Sequence, residues 1–214
     1  MNFFEFLNRR SEDMISLGLE HLMIVGIAVG AATIIGVALG ILAFQVPLLR
    51  GPALGVTGTL LTIPSFALFV LMLPIFGLGT TPVAIALTLY GLMPIVRNTI
   101  TGLTSVDPAI VESARGMGMS GAQRLTRIQF PIAWPIILTG IRVTTVMLVG
   151  IAAIGAIVLG PGYGSLIFDG LGRVGSPVGL NMVLAGILGV ILVAVLMDSL
   201  FALVGKLTTS KGLR

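Results

Sequence analysis

Cysteine is absent from these 214 residues, and histidine occurs once, as His21. The first absence excludes disulfides, thiolate metal sites and a cysteine nucleophile. The second leaves little room for imidazole chemistry; with no metal ligands beside it, His21 reads as a residue at the outer membrane boundary. Charge is scarce as well: 9% of residues are Asp, Glu, Lys or Arg, against roughly 25% in soluble domains. So few charges cannot cover a water-facing surface. With 56% hydrophobic residues and a mean hydropathy of +1.13, the chain reads as an integral membrane protein. Its net charge of +4 has no soluble domain on which to form a basic patch, so nucleic acid is not an expected partner. No phosphate loop G-x-x-x-x-G-K-[ST] occurs; "GKLT" at Gly205–Thr208 lacks the upstream glycine and a hydroxyl residue directly after the lysine. H-E-x-x-H and G-x-S-x-G are missing too, which weighs against a membrane hydrolase. Neither a repeat pairing nor a string of intramembrane carboxylates points to a secondary transporter.

What the chain does have is long charge-free stretches. Leu22–Leu49 runs for 28 residues, Gly51–Val96 for 46, Val143–Phe168 for 26 and Val174–Met197 for 24. About 20 apolar residues cross roughly 30 Å of hydrocarbon as a helix. The 46-residue stretch is too long for one crossing and must fold back. "FGLGTTP", Phe76–Pro82, supplies Gly, Thr and Pro for the turn. The expectation is an all-α membrane domain over 1–214 with about five spans, near 22–44, 53–75, 82–97, 137–159 and 180–203. Continuous apolar runs suit helices and not barrel strands. Glycine, at 29 residues, is spread through these runs, where it lets helices approach closely. Gly26/Gly30 and Gly36/Gly40 are small-x-x-x-small pairs, suited to packing within the chain or across a dimer.

The placement of Lys and Arg orients the five-span chain. Arg50, Arg97, Arg115, Arg124, Arg127, Arg142, Lys206, Lys211 and Arg214 fall on one side, and Arg9, Arg10 and Arg173 on the other. The richer side is cytoplasmic, which puts the C-terminus inside and the N-terminus outside. The first apolar run lacks a basic leader and a convincing cleavage site, so it reads as a retained span.

Between the third and fourth spans, over 98–136, lies a polar interruption. "SVDPAIVESARGMG" opens with Asp107 as helix cap and Pro108 at the first helical position. Ile110, Ala114 and Met117 form a short apolar stripe. Glu112 and Arg115, three apart, can pair or stay solvated. Gly116 and Gly118 weaken the helix and expose backbone to close approach. Periodicity alone equally permits a basic helix lying at the headgroups.

This segment resembles the cytoplasmic loop of binding-protein-dependent ABC importer permeases, whose pattern is E-A-A-x-x-x-G, nine residues, then I-x-L-P. Glu112, Ser113, Ala114, Gly118, Ile128, Phe130 and Pro131 fall at those spacings, with Ser113 in an alanine position and Phe130 in the leucine position. The resemblance implies a type I importer permease fold with a coupling helix that seats in a groove of an ATP-hydrolysing subunit. It makes Glu112, Ser113, Ala114, Gly116, Met117 and Gly118 the coupling residues. "TIPS" at Thr62–Ser65 and "LYGLMPIVRNT" at Leu89–Thr99 further resemble the osmoprotectant branch, which imports glycine betaine, carnitine, choline or related amines. "GPGYG", Gly160–Gly164, departs from the small-residue stretch of that branch through Pro161 and Tyr163.

What the resemblance implies is a non-enzymatic transmembrane subunit in the cytoplasmic membrane of a bacterium or archaeon. It binds no cofactor itself; ATP and Mg are used by partner ABC ATPase subunits. The other expected partners are a second permease chain, identical or paralogous, an extracytoplasmic substrate-binding protein that meets outer loops including 160–177, and membrane lipid. Methionine or another small solute remains an alternative cargo, as does a non-transporting structural role.

Two further groups stand out within the spans. Pro64 bends the second span, and Thr59, Thr62, Phe66 and Phe69 share a face there that could line a passage, with hydroxyls and rings toward a passing ammonium. Packing of the same face, with Phe toward lipid, is the alternative. Asp198 is the one carboxylate deep in a span, and an unpaired charge there is costly. Arg142 or Lys206 is its expected partner, in a structural ion pair.

Overall fold

A computed structural model of the chain describes residues 2–209, so Lys211 and Arg214, used above for orientation, lie outside the described residues. The described chain is helical throughout. A short helix α1 (Phe3–Arg9) leads into α2 (Ser11–Gln45), followed by α3 (Arg50–Thr62), α4 (Ser65–Phe76) and α5 (Thr80–Thr104). A small helix α6 (Pro108–Gly116) and a single turn α7 (Gly121–Arg124) precede α8 (Phe130–Ile154), α9 (Gly164–Leu171) and α10 (Pro177–Thr208).

Four helical segments are long and apolar enough to cross a membrane: Ser11–Gln45, Thr80–Thr104, Gly121–Val158 and Pro177–Thr208. Each outruns the stretch expected from the apolar runs. α2, at 35 residues, reaches about 52 Å at 1.5 Å per residue, and its first turns carry Glu12, Asp13 and Glu20 beyond the apolar run. The polar interruption is likewise mostly helix, so only a short segment around α6 stands apart from the spanning helices.

The expected second span is a broken one. Pro47–Thr62 and Ser65–Phe76 meet at 97°, and only as a pair do they pass as a fifth span. The cause is Pro64, which has no N–H to continue the ladder and pushes Ile63 into extended backbone (φ −66°, ψ 129°). Carbonyls freed in an apolar setting need other donors, and three are supplied. The Thr62 hydroxyl donates to Thr59 O at 2.7 Å. The Ile63 N–H donates to Leu60 O at 3.3 Å. From α5, the Tyr90 hydroxyl donates to Ile63 O at 2.8 Å.

α5 is the central helix, flanked along its length by α2 and α8. Small residues make this approach possible. A Cβ on Gly40 would stand 2.5 Å from the Thr99 Cβ, and one on Gly36 would stand 2.9 Å from Ile95 Cγ2. On the other flank, a Cβ on Gly140 of α8 would stand 2.6 Å from the Asn98 Cβ. Gly36/Gly40 is therefore a contact within the chain. Gly26 and Gly30 face open space. Around α5 the core gathers Ile24, Val25, Phe69, Leu87, Tyr90, Ile137 and Leu148. α2 and α10 leave most of their surface uncovered. The turn from α4 to α5 uses Gly77 and Gly79 at φ 72° and 100°, a left-handed backbone other residues resist. The Gly79 N–H ties that turn to Val158 O at 2.7 Å.

Gly40→Val is expected to destabilise the fold by about 1–3 kcal/mol through overpacking, read as a lower thermal midpoint of the purified chain in detergent. Gly30→Val, whose side chain meets nothing, leaves that midpoint in place.

Candidate coupling surface and passage wall

α6 forms where the sequence signals place it. The Asp107 carboxylate accepts from the Ala109 N–H at 2.8 Å, and Pro108 fills the first helical position. The Ser113 hydroxyl donates back to Ala109 O at 2.8 Å. The helix closes through Met117 N–H to Ser113 O at 3.1 Å and Gly118 N–H to Arg115 O at 3.0 Å. Gly118 takes φ 80°, the left-handed conformation that terminates a helix at glycine. The chain then turns through Met119, whose carbonyl accepts from Arg124 Nη1 at 2.8 Å, and a reciprocal Ser120–Gln123 capping box starts α7.

The apolar stripe of α6 is only partly used inside the chain. Ala114 is buried, at 1% exposure, whereas Ile110 is 44% and Met117 75% exposed. Glu112, Ser113, Arg115, Gly116 and Gly118 are exposed too, and a Cβ added at Gly116 or Gly118 would meet nothing. No ion pair joins Glu112 to Arg115 among the described residues. The outcome is a capped knob, anchored by Ala114 with Val111 half-buried beside it and the other positions exposed.

Past α7 the helix widens. Pro131 lacks an N–H, and its ring crowds the carbonyl four residues back. Leu125–Gln129 accordingly forms a π turn in which the Phe130 N–H reaches Leu125 O. The widened turn joins the α6–α7 knob directly to α8 and is not an element that sequence spacing announced.

The proposed passage-lining face does not survive as one face. The break at Ile63–Pro64 puts Thr59 and Thr62 on α3 and Phe66 and Phe69 on α4, at 97° to one another. Phe69 is fully buried in the core at 0% exposure, while Phe66 remains exposed. The Thr59 hydroxyl donates to Gly55 O at 2.9 Å, so both threonine hydroxyls serve backbone carbonyls.

α8 and α10 are joined by charge. Arg142 Nε and Nη2 donate to the two Asp198 oxygens at 2.5 and 2.6 Å, a two-pronged pair whose side chains stay 45% and 37% exposed. Arg142 is thus the partner that Asp198 takes. Nearer the α6 end, Trp134 Nε1 donates to the Thr208 hydroxyl at 2.7 Å.

The opposite end of the bundle holds what the sequence did not announce. His21 is fully buried among the helices, and its Nε2 lies 3.0 Å from Val149 O. "GPGYG" wraps onto it: Tyr163 runs between the Gly18 and Gly189 surfaces and donates from its hydroxyl to Met14 O at 2.7 Å. The Gly162 N–H donates to the Glu20 carboxylate at 3.2 Å. Tyr163 therefore fills a notch between α2 and α10. Its signal was the bulky tyrosine standing among glycines.

The comparisons accord with this architecture. The chain aligns with the osmoprotectant import permease protein OsmW of Salmonella typhimurium at 43% identity, over 93% of this chain and 93% of the relative. It aligns with the glycine betaine/carnitine/choline transport system permease protein OpuCB of Bacillus subtilis at 33% identity, over 98% and 94%. Among solved structures, a chain of the MetNI methionine ABC transporter in an inward-facing conformation superposes with a TM-score of 0.80 at 20% identity, covering 92% of this chain and 96% of that one. At that identity the likeness is one of fold. The profile of one transport family matches residues 32–209. The chain belongs to the family described as binding-protein-dependent transport system inner membrane component, a family of multi-pass membrane subunits and not of enzymes.

Proposed function

We propose that this chain is the transmembrane permease subunit of an ATP-driven importer for quaternary-amine osmoprotectants such as glycine betaine, carnitine or choline. The observation that carries the transport role is α6: a capped helix, anchored by Ala114 with Val111 half-buried, that leaves Met117 and Ile110 bare at one end of the bundle. Apolar side chains left exposed on a capped, polar-flanked knob suit a protein partner. The cargo class follows the printed names of relatives that align over almost the whole chain.

In this reading, 1–214 is a single membrane domain with α6 on the cytoplasmic side, the N-terminus outside and the C-terminus inside. The segment Glu112–Gly118 seats in an ABC ATPase subunit, which alone uses ATP and Mg. Open backbone at Gly116 and Gly118 allows close seating, and Glu112 meets a cation there. A second permease chain, a copy or a paralogue, covers part of the bare α2 and α10 surfaces, and lipid covers the rest. An external binding protein delivers cargo to the end carrying α9. ATPase closure moves the knob, and the π turn hands that movement to α8. Thr59, Thr62 and Phe66, exposed around the break at Pro64, belong to the passage wall; Phe69 belongs to the core.

Three measurements check this reading. Cells lacking other osmoprotectant uptake, given this chain with its cognate ATPase and binding protein, should accumulate labelled glycine betaine, carnitine or choline; accumulation of methionine alone would replace the cargo class. Glu112→Lys and Gly118→Val should each abolish copurification of the ATPase, the latter because φ 80° disfavours a β-branched residue; full retention in both would remove α6 as the docking element. Asp107→Ala should weaken the first turn of α6 by about 1 kcal/mol, visible as faster amide exchange at residues 109–112.

A further inference from the structure

The Arg142–Asp198 pair raises a problem of placement. Both residues lie in helical segments apolar enough to cross a membrane, Gly121–Val158 and Pro177–Thr208. Yet their side chains are 45% and 37% exposed, on the flank of the bundle and not inside it. Charged groups within spans face protein or a water-filled cavity, because acyl chains offer no solvation. An open cavity of about 560 Å³ stands at this pair, lined by Thr139, Arg142, Val143, Val146, Met147 and Asp198. That volume lies within the range of small-molecule sites.

The lining has a definite chemistry. Arg142 spends Nε and Nη2 on Asp198, which leaves Nη1 to donate elsewhere, since the guanidinium carries five N–H groups. Asp198, an ionised carboxylate with several lone-pair directions, can face another cation besides the guanidinium. Val143, Val146 and Met147 present apolar and thioether surface between and around them. A trimethylammonium group has no N–H to donate. Opposite charge and apolar surface can therefore hold it, as aromatic faces do in other sites, whereas a carboxylate is well received by a guanidinium.

We propose that this cavity is a low-affinity seat for a zwitterion on its way through the passage: the quaternary ammonium lies against Asp198 and the apolar side chains, and the carboxylate against Arg142. The proposal rests on the osmoprotectant reading above and adds the residues that handle the cargo within the membrane. In the empty seat the two side chains satisfy each other. An arriving zwitterion offers each a second partner, so charge stays compensated with and without cargo. The same compensation keeps the seat weak, as passage requires, because cargo competes with a pair already made.

The experiment is uptake of labelled glycine betaine by the reconstituted importer with its ATPase and binding protein, normalised to assembled complex. The variants are Arg142→Gln, Asp198→Asn, the double variant and Arg142→Lys. If the pair were only a helix clamp, each single change would strand one charge and be harmful, while the double change would restore uptake. As a seat, the double variant lacks both receptors, and its uptake should fall about tenfold or more, as expected for loss of hydrogen bonds to charged groups. Arg142→Lys, which keeps charge without the planar fork, should fall between it and the unaltered protein. Recovery of betaine uptake in the double variant overturns the seat and leaves the osmoprotectant reading intact. Import of choline without betaine or carnitine by the unaltered complex also overturns it. Failure of the unaltered complex to move any of the three removes the reading and the seat together.

Discussion

Close approach of helices along α5 is the constraint on which this bundle depends. Between helices in lipid, burial of apolar surface supplies little drive, because the acyl chains are as apolar as the side chains. Dispersion contacts must then be made at short range. Gly36 and Gly40 on α2, and Gly140 on α8, remove the side chains that would otherwise hold the neighbouring helices off α5. Thr99 and Asn98 fill the room left behind, with the Thr99 hydroxyl donating to Ile95 O at 2.8 Å and the Asn98 amide to Pro94 O at 2.8 Å. Each of these two polar side chains thereby enters the contact with one hydrogen bond made to the helix it stands on.

The broken second span depends on that central helix. Backbone opened by Pro64 survives in an apolar setting because α5 presents Tyr90 at the exposed carbonyl of Ile63. α4 then turns Phe69 and Leu68 into the core instead of continuing the line of α3. The two Tyr residues of the chain play matching parts at different places. Tyr90 satisfies a break, and Tyr163 fills a notch and donates to Met14 O. Each brings a bulky apolar ring with one donor at its tip, the combination that a buried backbone carbonyl between helices calls for.

Mechanical continuity follows from the same economy of backbone. α6 is too short to hold itself by helix propensity and relies on Asp107, Pro108 and the buried Ala114. Its path into α8 is helical apart from the turn at Met119, with the π turn absorbing Pro131. The knob is thus continuous in backbone with α8, and α8 is tied to α10 by Arg142–Asp198 and Trp134–Thr208.

Much of this was legible in the residues. Charge scarcity and unbroken apolar runs identify a helical membrane protein, because only helices close their hydrogen bonds within one segment. Asp107-Pro108 and Gly118 mark α6 through local backbone preferences, and the spacing from Glu112 to Pro131 carries the family. The same residues could not say that Thr59, Thr62, Phe66 and Phe69 fall on two helices, since Pro64 permits a bend of any size and neighbours decide the angle. Nor could they say that His21 is buried under Gly162, that Gly36/Gly40 packs inward while Gly26/Gly30 stays open, or that Asp198 takes Arg142. Local order is set by forces that act within a few residues, and these are written in sequence spacing. Which polar group meets which across the bundle depends on helix rotation and approach, and only the packed tertiary structure decides those.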